Sequence, residues 1–380
     1  MSLPKSMKPA TAAAQALGAG DAATASVVPP IHVASTYERG PDNALLSGRL
    51  YSRADNPTYD APEAVLAHLE GGAAAALYSS GMAAASAVFM ALRPGDHVLV
   101  PEIIYWAFRS WLFGWASDWG LRVEAVDMTD PRKVAARIQR GRTRLIWVET
   151  PANPTLVVSD IAALAEVAHA AGARLAVDST FASPVHSQPI ALGADIVMHS
   201  ATKYLNGHSD VVAGALVTRA ADEHWARMKA VRVQSGSVLG PFEAWLLLRG
   251  MRTLFVRVSA QSRSAAAIAA HFEGRRGIEA VLYPGLASFS GHGVASRQMS
   301  GGFGGMLSLR VSGGAPGALR FISRLQVWKR ATSLGGVESL VEHRASVEGP
   351  ATTTPPDLLR MSVGLEDTGD LISDIQQALD

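Results

Sequence analysis

From about Thr58 onward, short apolar runs alternate with amphipathic or alanine-rich stretches. Glu63, Val65, Leu66 and Leu69 mark one face of a helix over 59–70, which Gly71-Gly72 stops. A second helix is expected from Ala83 to Leu92. Pro94-Gly95 closes it, and the strand His97-Val98-Leu99-Val100 follows. A Trp-rich helix near 105–117, a strand at 121–127 and a helix at 131–140 continue the rhythm. Leu145-Ile146-Trp147-Val148, Leu175-Ala176-Val177-Asp178 and Asp195-Ile196-Val197-Met198-His199 read as further strands, with a helix over 161–171 between the first two. Strands that are apolar on both faces and joined by helices predict an α/β fold with a mostly parallel sheet.

The rhythm changes between Arg232 and Pro241. A helical region runs through 241–271, Gly-rich turns and short strands follow over 301–311, and a last helix lies near 370–379. A domain boundary is therefore expected near 235, dividing 58–235 from a second α+β domain over 236–380. Residues 1–57 read as an N-terminal arm. Its first part, Met1 to Ala25, is interrupted by Pro4, Lys5, Lys8 and Pro9 and lacks the compact apolar core of a signal peptide. No apolar run approaches the roughly 20 residues that span a bilayer, so a cytoplasmic protein is expected. There is no internal repeat.

At 380 residues the chain is long enough for two domains. A formal net charge of +1 gives no electrostatic footprint for nucleic acid or an anionic membrane. The absence of cysteine excludes disulfides, thiol catalysis and thiolate metal sites. No histidine–carboxylate spacing suggests a metal, and His199 and His208 read as packing or hydrogen-bonding residues.

The chain carries only six lysines, and five of them lie in a tail, in charged helical stretches or beside an arginine. Lys203 differs. It follows a buried-looking strand and is framed by Ser200 and Thr202, where desolvation lowers an ammonium pKa and makes the amine a nucleophile toward aldehydes. That is the requirement for holding pyridoxal phosphate (PLP) as a Schiff base.

Three other strand ends carry matching features. Ser79-Ser80-Gly81-Met82 opens a helix, and backbone N–H groups there can receive a phosphate; the same residues also serve as an ordinary N-cap. Asp178 ends its strand, where a carboxylate caps the next helix or keeps a pyridine nitrogen protonated. The prolines of Glu149-Thr150-Pro151-Ala152-Asn153-Pro154 fix a turn, structural in itself and also suited to presenting the Asn153 amide at one angle.

With these stretches in order, the chain resembles the Cys/Met-metabolism PLP enzymes, the trans-sulfuration family of cystathionine β-lyase, cystathionine γ-lyase, cystathionine γ-synthase and methionine γ-lyase. The resemblance rests on Tyr51-Ser52-Arg53-Ala54-Asp55-Asn56-Pro57-Thr58, Ser80-Gly81-Met82, the Glu149 to Pro154 turn, Val177-Asp178-Ser179-Thr180, Ser200-Ala201-Thr202-Lys203-Tyr204, the run from Ser333 to Leu340, and Arg360 to Asp367. These cover the chain from about residue 28 to the C-terminus. The resemblance implies the fold-type I, aspartate aminotransferase-like architecture, with a mostly parallel seven-stranded sheet, a smaller C-terminal domain, and a homotetramer built of catalytic dimers.

Carried over by position, Lys203 resembles the Schiff-base lysine and proton shuttle. Asp178 would pair with the pyridinium, and Gly81, Met82, Ser200 and Thr202 would hold the phosphate. Tyr51 and Arg53 match residues of the arm that reach a neighbouring subunit's phosphate, and Tyr105 matches the aromatic that stacks on the cofactor ring and assists proton transfer. Asn153, Ser333 and Arg360 match the group that grips a substrate α-carboxylate. Taken singly, Tyr51 and Tyr105 read equally well as core or interface aromatics, and Arg360 as a salt-bridge partner.

The implied activity is carbon–sulfur lyase chemistry on a small sulfur amino acid. Thr332 stands where γ-acting cystathionine enzymes carry a substrate-reading glutamate, and Trp106 stands where many γ-lyases have glycine. These two positions lean toward β-elimination of L-cystathionine to homocysteine, pyruvate and ammonia. The Ser333-Leu334-Gly335-Gly336 context leans toward a γ-lyase or γ-synthase. An aminotransferase and a non-enzymatic PLP-fold protein remain as further readings; the latter would more often have lost Lys203, Asp178 or Arg360.

Overall fold

The computed structural model describes residues 7–349 and 352–379, so Pro4 and Lys5 of the expected arm lie outside the described residues. The first sheet contains β1 (Ala74–Tyr78), β2 (His97–Pro101), β3 (Arg122–Val126), β4 (Thr143–Glu149), β5 (Arg174–Asp178), β6 (Ile196–His199) and β7 (Gly214–Thr218). Their order across the sheet is β1-β7-β6-β5-β4-β2-β3. Every neighbouring pair from β3 to β6 is parallel, and β7 alone runs antiparallel to its neighbours β6 and β1. This is the mostly parallel sheet that the strand pattern predicted, with the seven strands that the resemblance implied.

Apolar residues point both ways because both faces are covered. Val98, Val100 and Trp147 pack with the helices Gly81–Met90 and Trp106–Trp111. Leu99, Ile146, Val148 and Val177 pack on the other face with Ile161–Ala170. The predicted helix signals hold: Asn56 caps Pro57–Glu70 by accepting the Thr58 N–H at 2.9 Å, and Gly71 ends it in a left-handed conformation.

A second sheet, ordered β10-β11-β12-β9-β8, is built from β8 (Ile278–Leu282), β9 (Met306–Val311), β10 (Lys329–Arg330), β11 (Leu340–His343) and β12 (Leu358–Ser362). All its pairs are antiparallel except β10–β11.

Several elements differ from the sequence expectation. β1 begins Ala74-Ala75-Ala76, residues that read as helix filler, and becomes a strand by pairing with β7 inside the core. Ser79 was read as a strand end but no strand was placed before it, and β7 was not expected. The helical region 241–271 is two helices, Pro241–Met251 and Leu254–Phe272, and the helix expected over 131–140 ends at Ala136. The Trp-rich helix widens after Trp111 into a π-type turn over Leu112–Ala116. The Gly-rich segment over 301–311 supplies one strand, β9. Among the described residues no helix is long and apolar enough to cross a membrane.

β4, β5 and β6 end side by side at Glu149, Asp178 and His199, and the Ser200–Lys203 turn follows directly. The carboxyl edge of a parallel sheet is where such folds bind ligands. β12 of the second sheet brings Arg360 to the same place.

Candidate active site

A cavity of about 420 Å³ lies at that edge. Lys203 lines it, and its Nζ donates to Ser333 Oγ at 2.8 Å. Burial, with help from the positive charge of Arg360, lowers this ammonium to about 8 from its ordinary value. The turn that carries it is packed tightly from behind. Gly335 sits at φ +76°, and a Cβ there would lie 2.8 Å from the Tyr204 backbone nitrogen, so only glycine lets the Ser333–Gly336 loop lie on the Lys203–Tyr204 turn. Ser333 itself holds φ +99°, a conformation uncommon outside glycine. That backbone turns its hydroxyl toward Lys203 while its carbonyl accepts from Arg360 Nη2 at 3.1 Å.

Asp178 and Glu149 are neighbours across β5 and β4 and both line the cavity. Asp178 accepts the Thr180 hydroxyl and N–H at 2.5 and 3.0 Å. Glu149 accepts the N–H groups of Asn153 and Tyr105, each at 2.8 Å, which anchors both residues to one carboxyl group. Burial raises Glu149 to about 8, and the Asp178 charge beside it adds to the shift. Burial raises Asp178 as well, against its hydrogen bonds to Thr180. Buried side by side, the two carboxyls disfavour being charged together, and both are raised, so they titrate as a coupled pair.

A carboxyl group that stays protonated in the fold but ionises when unfolded stabilises the fold below its unfolded pKa, and that stability fades as pH rises through the folded value. His186 and His224 are lowered by burial and act in the opposite sense at lower pH, and Lys203, lowered to about 8, offsets part of the loss within the window itself. The cofactor-free protein should consequently lose roughly 1–2 kcal/mol of stability between about pH 6.5 and about pH 8. Denaturant melts at the two pH values check this; stability that is flat or rising over the window would show that Glu149 is ionised throughout.

The helix Gly81–Met90 points its N-terminus into the cavity. Ser80 caps it by accepting the Ala83 N–H at 3.0 Å, and the first N–H groups of a helix have no intrahelical acceptor. A Cβ on Gly81 would lie 2.8 Å from both Cβ and Oγ of Ser200, so glycine allows the Ser200 turn and the helix end to form one cradle. Met82 and Ser200 line the cavity beside it. Thr202 also lines it, but its hydroxyl is tied to Ala213, accepting that N–H at 2.9 Å and donating to that carbonyl at 3.1 Å. It pins the lysine turn.

Opposite the cradle, Arg360 is buried with 4% of its surface exposed. Its Nη1 donates to Asn153 Oδ1 at 3.1 Å and its Nη2 to Glu342 Oε2 at 2.6 Å, in addition to Ser333 O. Burial lowers this guanidinium to about 10, so it keeps its charge at neutral pH. Thr332 donates to Glu342 Oε1 at 2.6 Å. Tyr105 and Trp106 stand at the cavity wall with 42% and 43% of their surfaces exposed.

Gly81, Met82, Tyr105, Asn153, Asp178, Ser200, Thr202, Lys203, Thr332, Ser333 and Arg360 thus meet around one cavity. Tyr51 and Arg53 do not line it. Both lie on the exposed arm, with the Arg53 guanidinium 5.7 Å from the Tyr51 ring centroid and its Nη1 donating to Val233 O at 3.0 Å. The sequence reading passed over Glu149, Glu342 and Arg344. Glu149 had a signal, since it ends an apolar strand as Asp178 does. Glu342 and Arg344 had none, because their neighbours are distant in sequence or belong to an ordinary-looking charged run. His199 is a buried hydrogen-bonding residue as expected, 2.6 Å from Glu70 Oε1.

The donor set fits PLP: a desolvated amine, an anion cradle at a helix N-terminus and a buried carboxylate face one space. Comparison with known proteins agrees. The profile of the Cys/Met metabolism PLP-dependent enzymes matches residues 10–380. Cystathionine gamma-synthase of Mycobacterium tuberculosis is 45% identical over 98% of this chain and 96% of its own length. Cystathionine gamma-lyase of Dictyostelium discoideum is 40% identical over the whole of both chains. The structure of cystathionine gamma synthase from Xanthomonas oryzae pv. oryzae in complex with cystathionine superposes with a TM-score of 0.93 at 38% identity, covering 99% of this chain and 98% of that one. The chain belongs to the Cys/Met metabolism PLP-dependent enzymes, and its cofactor is PLP.

Proposed function

We propose that this protein is a γ-acting enzyme of sulfur amino-acid metabolism, working at Cγ of an activated homoserine or of cystathionine. The observation that carries the proton chemistry is the Lys203 amine, desolvated, held 2.8 Å from Ser333 Oγ and lining one cavity with Arg360 and Asp178. When bound, PLP supplies the sink for electrons left at Cα. Arg360, Asn153 and Ser333 hold the α-carboxylate, which sets Cα against Lys203 Nζ. Lys203 removes the Cα proton, with Tyr105 closing the site above it. Asp178, ionised, keeps the ring nitrogen protonated, while Gly81, Met82 and Ser200 hold the phosphate and Thr202 fixes the turn beneath it. A second proton must leave Cβ before the Cγ substituent departs with its bonding pair; Lys203 would first hand the Cα proton on to the bound cofactor, and so is the base we assign to both removals.

The γ assignment replaces the lean toward β-elimination. The names of the relatives support it, and the two positions that argued otherwise carry little weight against it. Trp106 leaves a cavity of about 420 Å³, within the range for small-molecule sites. Thr332 faces a carboxylate of the chain, Glu342, rather than standing alone. The reading includes a cytoplasmic homo-oligomer, a tetramer of catalytic dimers, in which Tyr51 and Arg53 complete the neighbouring subunit's phosphate site. Exposed Val27, Val33, Leu46 and Leu50 on the arm support that placement.

Proton exchange tests the reading without a leaving group. L-Norvaline recovered after incubation with holoenzyme in D2O should carry deuterium at both Cα and Cβ by NMR. Exchange at Cα alone is the result for an enzyme confined to β chemistry.

A further inference from the structure

Arg344 is a buried charge of the cavity to which the reaction assigns no task. It opens the short helix Arg344–Glu348 after β11, lines the cavity, and has a side chain only 4% exposed. Its Nη1 donates to Glu342 Oε2 at 2.6 Å, the same oxygen that accepts from Arg360 Nη2 at 2.6 Å. The other oxygen of Glu342 takes the Thr332 hydroxyl. On its far side, Arg344 donates from Nε and Nη2 to Glu348 Oε1 at 3.2 and 2.9 Å. Glu348 Oε2 in turn accepts the hydroxyls of Thr352 and Thr354. Glu348, Arg344, Glu342 and Arg360 thus form a buried row of alternating charge leading to the substrate clamp.

A chain carboxylate on Arg360 competes with the carboxylate of the substrate. Held by Arg360 alone, Glu342 would compensate that charge fully in a site of low dielectric. Two guanidiniums on one oxygen divide the charge of Glu342 between them. Burial pushes Glu342 up, but Arg360, Thr332 and Arg344 together bring it below the usual carboxylate range, so it stays ionised and both arginines stay paired. Carboxylates occupy Arg344 on both sides, which makes it a poor receptor for a distal anion of its own.

We propose that Arg344 is a positioning residue for substrate binding: by sharing Glu342 it leaves Arg360 anchored yet with charge to offer the substrate α-carboxylate. This rests on Arg360 as the carboxylate-binding group. The effect must be common to every amino acid that enters, whatever its distal end.

Holoenzyme titrated with L-norvaline and with L-2-aminoadipate, followed by the visible spectrum, tests this. Arg344→Met should raise both Kd values alike, by roughly tenfold, the size of one moderate charge interaction. Arg344→Lys should fall between. The double variant Arg344→Met/Glu342→Gln should bind both probes within about threefold of the unaltered enzyme, because nothing then competes for Arg360. Where Arg344→Met does not fold because buried Glu348 has lost its cation, Arg344→Met/Glu348→Gln takes its place with the same expected loss of about tenfold. Unchanged binding by Arg344→Met, a loss confined to L-2-aminoadipate, or a double variant that binds about tenfold more weakly than the unaltered enzyme would each overturn the proposal. If Arg360→Lys also leaves L-norvaline binding unchanged, the clamp reading itself fails; if only Arg344→Met is silent, this inference alone does.

Discussion

Lys203→Ala should lower kcat by at least about 10⁴ and leave a folded protein that no longer retains the visible absorbance of lysine-bound pyridoxal after gel filtration. The size follows from the absence of a substitute. Among the described residues Lys203 is the only lysine lining the cavity, and its two proposed proton transfers run through one nitrogen. Stability should change little, because the lost side chain makes one hydrogen bond, to Ser333, and its burial disfavours its charge. A near-UV spectrum and a melt of the variant establish that it is folded; visible absorbance that survives filtration would move the cofactor's attachment elsewhere.

Arg360→Lys should lower kcat/KM by roughly 10²–10³, mostly through KM. The planar fork of Arg360 meets Asn153, Ser333 and Glu342 at once, and a lysine offers one point charge instead. The buried Glu342 keeps Arg344, so the loss of stability should be smaller than the several kcal/mol expected for an orphaned buried charge. Initial-rate kinetics separate the two parameters, and an unchanged KM would remove Arg360 from the substrate's carboxylate.

Strand ends were the legible part of this chain. Lys203 and Asp178 each follow an apolar run, and burial on both faces makes such runs plain in a parallel sheet. The helix N-terminus at Gly81 was legible for the same reason, since a cap, a glycine and an apolar helix stand in sequence. β1 was not, because its alanines take their conformation from β7, some 140 residues away in register. Glu149 was passed over although it ends β4, since its importance lies in sharing a buried edge with Asp178. The row from Glu348 to Arg360 crosses two strands and a helix, so no local pattern announces it. Thr332 and Trp106 were read as isolated departures. In the fold one is a partner of Glu342 and the other a half-exposed wall, which removes most of their weight in choosing between Cβ and Cγ chemistry.

That choice is tested most directly by the keto acid formed from L-cystathionine as the sole substrate of the holoenzyme. Cleavage at Cγ yields 2-oxobutyrate, cysteine and ammonia, and this is the predicted result. Pyruvate with homocysteine would mean that the bond at Cβ breaks, and would contradict the γ assignment.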